Sequence, residues 1–138
     1  MDGDSSLTPR RTVAIDLDGV LAQAGKWQGV THIGAPFPGA VQFVSAIYCY
    51  ARVIIHSARC AEGPGPGGEC VPLDERRRLI AEWLDRHGFS YDEIWTAGGK
   101  PWADAYVDDK AIVCDPTCEG FGFAESTAAL RRFLKLRG

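Results

Sequence analysis

Two acidic endings define the chemistry this chain can offer. Asp16-Leu17-Asp18-Gly19 follows the apolar run Thr12-Val13-Ala14-Ile15, and Asp108-Asp109 follows Tyr106-Val107. Gathering several negative charges in one place is costly unless a cation or a proton compensates. A hard divalent cation such as Mg²⁺ takes oxygen ligands and keeps several waters, so one or two carboxylates plus a substrate phosphate suit it. Ser57 ends the run Val53-Ile54-Ile55-His56, and Lys100 follows Gly98-Gly99; they offer a hydroxyl and a cation for that phosphate. The Ser57-Ala58-Arg59 turn is a further candidate grip on a phosphate oxygen. The set points to phosphoryl transfer, where catalysis is mostly positioning and charge stabilisation. Two carboxylates at i and i+2 can divide that work. One, bound to metal and ionised, attacks phosphorus and forms an aspartyl-phosphate. The other, its pKa raised by acidic neighbours, protonates the leaving group and then activates water.

These groups need a scaffold that brings them to one place. The short, β-branched apolar runs before Asp16 and Ser57 read as buried strands of a parallel sheet. The polar endings then fall at C-terminal strand tips, where open α/β sheets bind ligands. Gly19 allows a sharp turn and a close backbone approach to a ligand. Residues 22–38 are rich in Gly and Pro and read as a loop carrying Trp27 and His32. As a flap, that loop would bring both side chains to substrate; the plainer reading is a packed Trp27 and a surface His32. Gly39–Tyr50 and Pro72–His87 carry helical apolar faces, the second with Asp74 and Glu75 in its first turn and Gly88 after its end. Glu93-Ile94-Trp95 is a short strand, and Ala111–Cys114 a last one. Phe123–Arg137 is a final helix with Leu130, Phe133 and Leu134 toward the core. The basic run Arg76-Arg77-Arg78 and the charges Arg131, Arg132, Lys135 and Arg137 of the final helix read as solvated helix faces. This order predicts an α/β fold, three-layer, with a mostly parallel central sheet.

With 138 residues the chain is expected to form a single domain over residues 12–138, after a disordered or extended polar tail at 1–11. A net charge of -3 does not call for nucleic acid, although a local basic patch is compatible with it. No apolar run approaches the ~20 residues of a membrane span, and the polar, acidic start is no signal peptide. Five cysteines, an odd number, favour reduced thiols and a cytoplasmic protein over a disulfide framework. Zinc held by Cys60, Cys70, Cys114 and Cys118 is the weaker reading, since neither pair has close CxxC spacing. The Cys60–Cys70 segment is a Gly- and Pro-rich surface loop without a legible role.

Four segments in order, Val13–Gly19, Val53–Ser57, Lys100 and Tyr106–Asp109, resemble the motifs of the haloacid dehalogenase (HAD) superfamily of phosphohydrolases. The resemblance covers about Thr12 to Cys114. It implies a Rossmann-like fold and a Mg²⁺-dependent phosphatase, with Asp16 as nucleophile and Asp18 as general acid/base. It also implies that the Asp16 carboxylate and the Asp18 backbone carbonyl bind Mg²⁺, with Asp108 and Asp109 completing the site directly or through water. Ser57 would bond the phosphoryl group, and Lys100 would steady Asp16 and the phosphate. Val20 departs from a frequent threonine without removing a catalytic group. The intervals from Asp18 to Ser57 and from Ser57 to Lys100 are too short for a cap domain, so the resemblance is to a small capless member. An open site suits a bulky phosphorylated substrate, or a homo-oligomer in which a neighbour closes the site. The alternatives are a nucleotide or nucleic-acid-end phosphatase, suggested by the Arg-rich segments near Arg76 and Arg131, and a non-catalytic binding module.

Overall fold

In the computed structural model, which describes residues 10–61, 68 and 70–137, the apolar runs form a parallel sheet. Most of the expected N-terminal tail (1–9) and of the Cys60–Cys70 loop (62–67 and 69) lies outside the described residues. Strand β1 (Arg11–Asp16) pairs in parallel with β2 (Ala51–His56), with Val13 opposite Val53 and Asp16 opposite His56. Strand β3 (Glu93–Ile94) extends the sheet beyond β2, and β4 (Ala105–Val107) takes the other side of β1. The order is β3-β2-β1-β4, and every pairing is parallel. Among the described residues three α-helices accompany the sheet: α1 (Ala40–Tyr48), α2 (Leu73–Arg86) and α3 (Phe123–Arg137). The chain is therefore α/β with a four-stranded, all-parallel sheet. None of its described helices is long and apolar enough to cross a membrane.

The strand order brings the acidic endings together. The chain runs outward from β1 to β2 and β3, then returns to place β4 on the far side of β1. Where strand order reverses in this way, a crevice opens beyond the carboxyl ends of the two strands on either side of the reversal. Those strands are β1 and β4, which carry the two acidic endings. Ile15 lies opposite Val107, so Asp16 and Asp108, each one residue further on, arrive side by side. A clamp at the start of β4 sets this register. The Thr12 N–H donates to Asp104 Oδ2 at 2.8 Å, and the Asp104 N–H donates to the Thr12 carbonyl at 2.8 Å. Asp92 grips Val53 in the same manner ahead of β3.

The core follows from strand alternation. Ile15, Val53 and Ile55 share one sheet face and are buried with Val44 and Ile47 of α1 and Ile80, Trp83 and Leu84 of α2. Each such side chain contributes about 1.5–3 kcal/mol when fully removed from water. Trp83 stacks on Phe89 at 5.2 Å and donates its indole N–H to the Gly34 carbonyl at 3.0 Å. The core helix thereby also holds the loop that follows β1.

The C-terminal third departs from the sequence expectation. Helix α3 forms at the expected residues, yet it buries none of them, and Leu130 and Leu134 are exposed. The physical reason lies in β4, which is only three residues long and leaves little apolar sheet surface to cover. Residues 111–114 form no strand. Polar bonds attach α3 instead: Ser126 Oγ donates to the Val113 carbonyl at 2.9 Å, and Arg137 Nη2 to the Asp109 carbonyl at 3.2 Å. The basic run of α2 is also not uniformly solvated. Arg76 is 4% exposed, and its Nη1 donates to the carbonyls of Arg59 and Ala61.

Candidate active site

Oxygen atoms of Asp16, Asp108 and Asp109 all lie within 4.8 Å of one another at the tips of β1 and β4. Gly19 makes this possible. It adopts φ +88°, and a Cβ there would stand 2.5 Å from Asp109 Oδ2 and 2.9 Å from Asp109 Cγ. The carboxylate of Asp109 thus occupies the space that any other residue at position 19 would fill. Its Oδ1 is buried and has no hydrogen-bond partner among the described residues. A buried acceptor without a donor carries a desolvation cost of about 1–3 kcal/mol, more when charged. Three convergent hard oxygen donors with one orphaned acceptor fit a divalent cation such as Mg²⁺.

The electrostatics agree with that donor set. Burial raises the Asp16 carboxyl from 3.8 to about 7, and the negative charges of Asp108, Asp109 and Asp18 push in the same direction. One hydrogen bond opposes them: the Leu17 N–H donates to Asp16 Oδ1 at 2.9 Å. Asp108 Oδ1 accepts from the Lys110 N–H at 2.7 Å, which fixes the turn after β4. A cation also approaches from α3, where Arg137 Nη1 lies 3.8 Å from Asp109 Oδ2. In sequence that side chain reads as part of a solvated basic face; the tertiary fold carries it to the site.

Asp18 stands apart from the triad. Its carboxylate receives a two-pronged contact from Arg59, Nε to Oδ2 at 2.7 Å and Nη2 to Oδ1 at 2.9 Å. Arg59 is 4% exposed. It also donates Nη2 to the His32 carbonyl at 2.9 Å, and Nη1 to the carbonyls of Val30 at 3.3 Å and Gly29 at 3.5 Å. A guanidinium has five N–H donors, and these five contacts engage all of them. The sequence offers Arg59 as a candidate grip on a phosphate oxygen; in this arrangement its N–H donors are committed to Asp18 and the loop carbonyls. It locks the orientation of Asp18 and ties down the loop after β1. The cost of burying its charge requires such pairing.

Ser57 is buried, and its Oγ accepts from the Arg59 N–H at 3.1 Å. This bond caps the single 3₁₀ turn Ala58–Cys60 that carries Arg59 into place. The hydroxyl proton remains available to a phosphoryl oxygen. Lys100 is exposed, with its Nζ 4.0 Å from the centroid of the Tyr106 ring, and it pairs with no carboxylate among the described residues. The residue that faces Asp16 across the strand pair is instead His56. Burial lowers the imidazole below its ordinary value; Asp108 opposes the shift and Lys100 adds to it. His56 is the last residue of its strand, just as Asp16 is of its own, so the shared strand ending is the signal that marks it.

Two cavities flank Ala58. One, of about 280 Å³, is bounded by Asp18, Arg59, Lys110 and the loop after β1, including Trp27 and His32. The other, of about 260 Å³, is bounded by His56, Ser57, Cys60, Trp95 and the Gly98-Gly99 turn. Both Trp27 and His32 thus stand beside Asp18. The Trp27 ring lies 4.6 Å from the Arg59 guanidinium carbon, within cation–π range.

Fold and site together define an α/β protein with a carboxylate cluster at the switch point of its parallel sheet. The sequence matches no protein-family model and no curated protein. Among solved structures it is similar to a structural-genomics target from Vibrio cholerae, at a TM-score of 0.49 and 21% identity, over 93% of this chain and 99% of that one.

Proposed function

We propose that this chain is a Mg²⁺-dependent phosphohydrolase of HAD type, with the three-layer Rossmann-like architecture of that superfamily and no cap domain. The observation that carries the reading is the Asp16–Asp108–Asp109 oxygen cluster with its orphaned Asp109 Oδ1, built at the sheet's switch point. Asp16, Asp108 and Asp109 would hold the ion, joined by the Asp18 backbone carbonyl. Bound there, Mg²⁺ supplies positive charge that lets an anionic nucleophile approach an anionic phosphate.

In this reading Asp16 Oδ attacks phosphorus as the bond from phosphorus to the leaving oxygen breaks. Asp18 gives that oxygen its proton. Asp18 then takes a proton from water as the water attacks the phosphoryl group on Asp16, releasing inorganic phosphate and restoring the carboxylate. Arg59 leaves each Asp18 oxygen a second lone pair for these transfers, so it acts as a positioning residue. The Ser57 hydroxyl donates to a phosphoryl oxygen. Lys100, on a glycine-preceded turn, would leave the Tyr106 ring to meet the phosphate.

The test is phosphate release from a broad panel of monoesters, with and without Mg²⁺, for wild type and Asp16→Asn. Metal-dependent release that disappears in the variant is expected. Release that persists in Asp16→Asn, or that ignores Mg²⁺ and chelator, overturns the assignment.

A further inference from the structure

Beyond Asp18 and Arg59, the cavity beside the acidic tips has a lining that the proposed chemistry does not use. Its volume, about 280 Å³, stands near the low end of small-ligand pockets, ~300 Å³. That is room for one ring system with its substituents. The aromatic surface in the lining is the Trp27 indole, which is 36% exposed. Arg59 braces this ring through its guanidinium, and its own donors are all engaged, so it forms a wall of the cavity.

The same cavity is lined by Gln23 and Gln28, together with Lys26, His32 and Lys110. Gln23 donates one amide N–H to the Pro36 carbonyl at 3.4 Å and keeps a second N–H and its oxygen, and Gln28 carries both a donor and an acceptor. The loop that carries them is held at its base by the Phe37 N–H to the Leu21 carbonyl at 2.9 Å and the Gln23 N–H to the Ala35 carbonyl at 2.8 Å. It is held from the core by the Trp83 bond to Gly34. The cavity is therefore built before any ligand arrives, which lowers the ordering cost of binding.

We propose that this cavity takes the base of a nucleotide, placing its phosphate toward the acidic strand tips. A nucleobase offers a π-face for the indole and mixed donor–acceptor edges for carboxamides such as those of Gln23 and Gln28. Lys26 and Lys110 bring positive charge to the cavity, which suits the further anionic oxygens of a nucleotide or of a phosphodiester chain. A hexose phosphate lacks the π-face, and an aryl phosphate lacks the polar edge. The placement of the phosphate rests on the phosphohydrolase reading; the base site does not.

Binding is measured on the full chain carrying Asp16→Asn, in Mg²⁺, so that turnover does not intervene. The probes are adenosine 5′-monophosphate, deoxyadenosine 3′-monophosphate, a 3′-phosphorylated trinucleotide and glucose 6-phosphate. The readout is the indole N–H resonance of Trp27, identified by its loss in Trp27→Phe. The nucleotides are expected to shift that resonance and glucose 6-phosphate to leave it in place. Adding Trp27→Ala should weaken nucleotide binding about tenfold or more, and Trp27→Phe, which keeps a ring, should retain most of it. Tighter binding of the trinucleotide than of the mononucleotides identifies a nucleic-acid end as the source; equal binding identifies the free nucleotide. Equal shifts with glucose 6-phosphate, or nucleotide binding that ignores Trp27→Ala in a variant with wild-type circular dichroism, overturn the inference. Nucleotide binding through Trp27 without phosphate release by wild type refutes the phosphohydrolase reading and leaves the base site standing.

Discussion

Asp16→Asn separates the charge of Asp16 from its shape. The amide oxygen can still accept the Leu17 N–H, which now reaches Asp16 Oδ1 at 2.9 Å. What disappears is a carboxylate that burial and three acidic neighbours hold at about 7, against 3.8 ordinarily. The folded protein therefore keeps a proton on Asp16 across roughly pH 4 to 7, a window in which the unfolded chain has lost it. Because the folded state binds more protons there, stability falls as pH rises through the window and levels off above it. At 1.36 kcal/mol per pH unit the full shift corresponds to about 4 kcal/mol, and solvent screening of a carboxylate that is not fully enclosed reduces it to about 2 kcal/mol. Asp16→Asn should then match wild type near pH 4 and exceed it by about 2 kcal/mol at pH 8 without metal. The assay is urea denaturation followed by circular dichroism in chelator from pH 4 to 8.5, taking the difference between the two proteins at each pH. Adding Mg²⁺ should reverse the order at pH 8, since only wild type keeps all three carboxylates and affinity rises as Asp16 loses its proton. A difference that stays flat with pH, or equal Mg²⁺ stabilisation of both proteins, refutes the reasoning.

Gly19→Ala places a methyl group 2.5 Å from Asp109 Oδ2 in a left-handed backbone conformation. It should cost about 1–2 kcal/mol in backbone strain alone and abolish Mg²⁺-dependent stabilisation, both read from thermal melts with and without the ion. Asp104→Ala removes the acceptor of the Thr12 N–H; a loss of about 1–3 kcal/mol and faster amide exchange at Thr12 are expected, and unchanged exchange would contradict the register clamp. Arg59→Lys keeps a charge but cannot serve Asp18 and three loop carbonyls together. It should lower stability by about 3 kcal/mol or more and expose the loop after β1 to proteolysis, and wild-type protease resistance would remove Arg59 from its bracing role.

The parallel α/β fold and the positions of its acidic strand tips were legible in the sequence because their signals are short-range. Val53-Ile54-Ile55 and Val13-Ala14-Ile15 read as buried strands from their own composition, and the turn after each follows at once. Gly19, Ser57 and the two carboxylate groups therefore fall where a strand ends, with no knowledge of what lies beside them. The neighbours belong to tertiary structure. Strand order alone puts β4 next to β1, and the distant clamp of Asp104 on Thr12 sets the register that joins Asp16 to Asp108 and Asp109. Arg59 reads as a candidate phosphate grip, and the fold brings it a partner the sequence does not show, Asp18, 41 residues away. Arg137 and Arg76 read as solvated charges until one meets Asp109 and the other the carbonyls of the 3₁₀ turn. In α3 the apolar spacing is that of a core helix, yet a three-residue β4 leaves it no surface to cover. Local sequence thus determined the strands, their turns and the acids at their ends. Tertiary structure decided which charges meet, because a long side chain's partner is chosen by strand order and register and not by its neighbours in the chain.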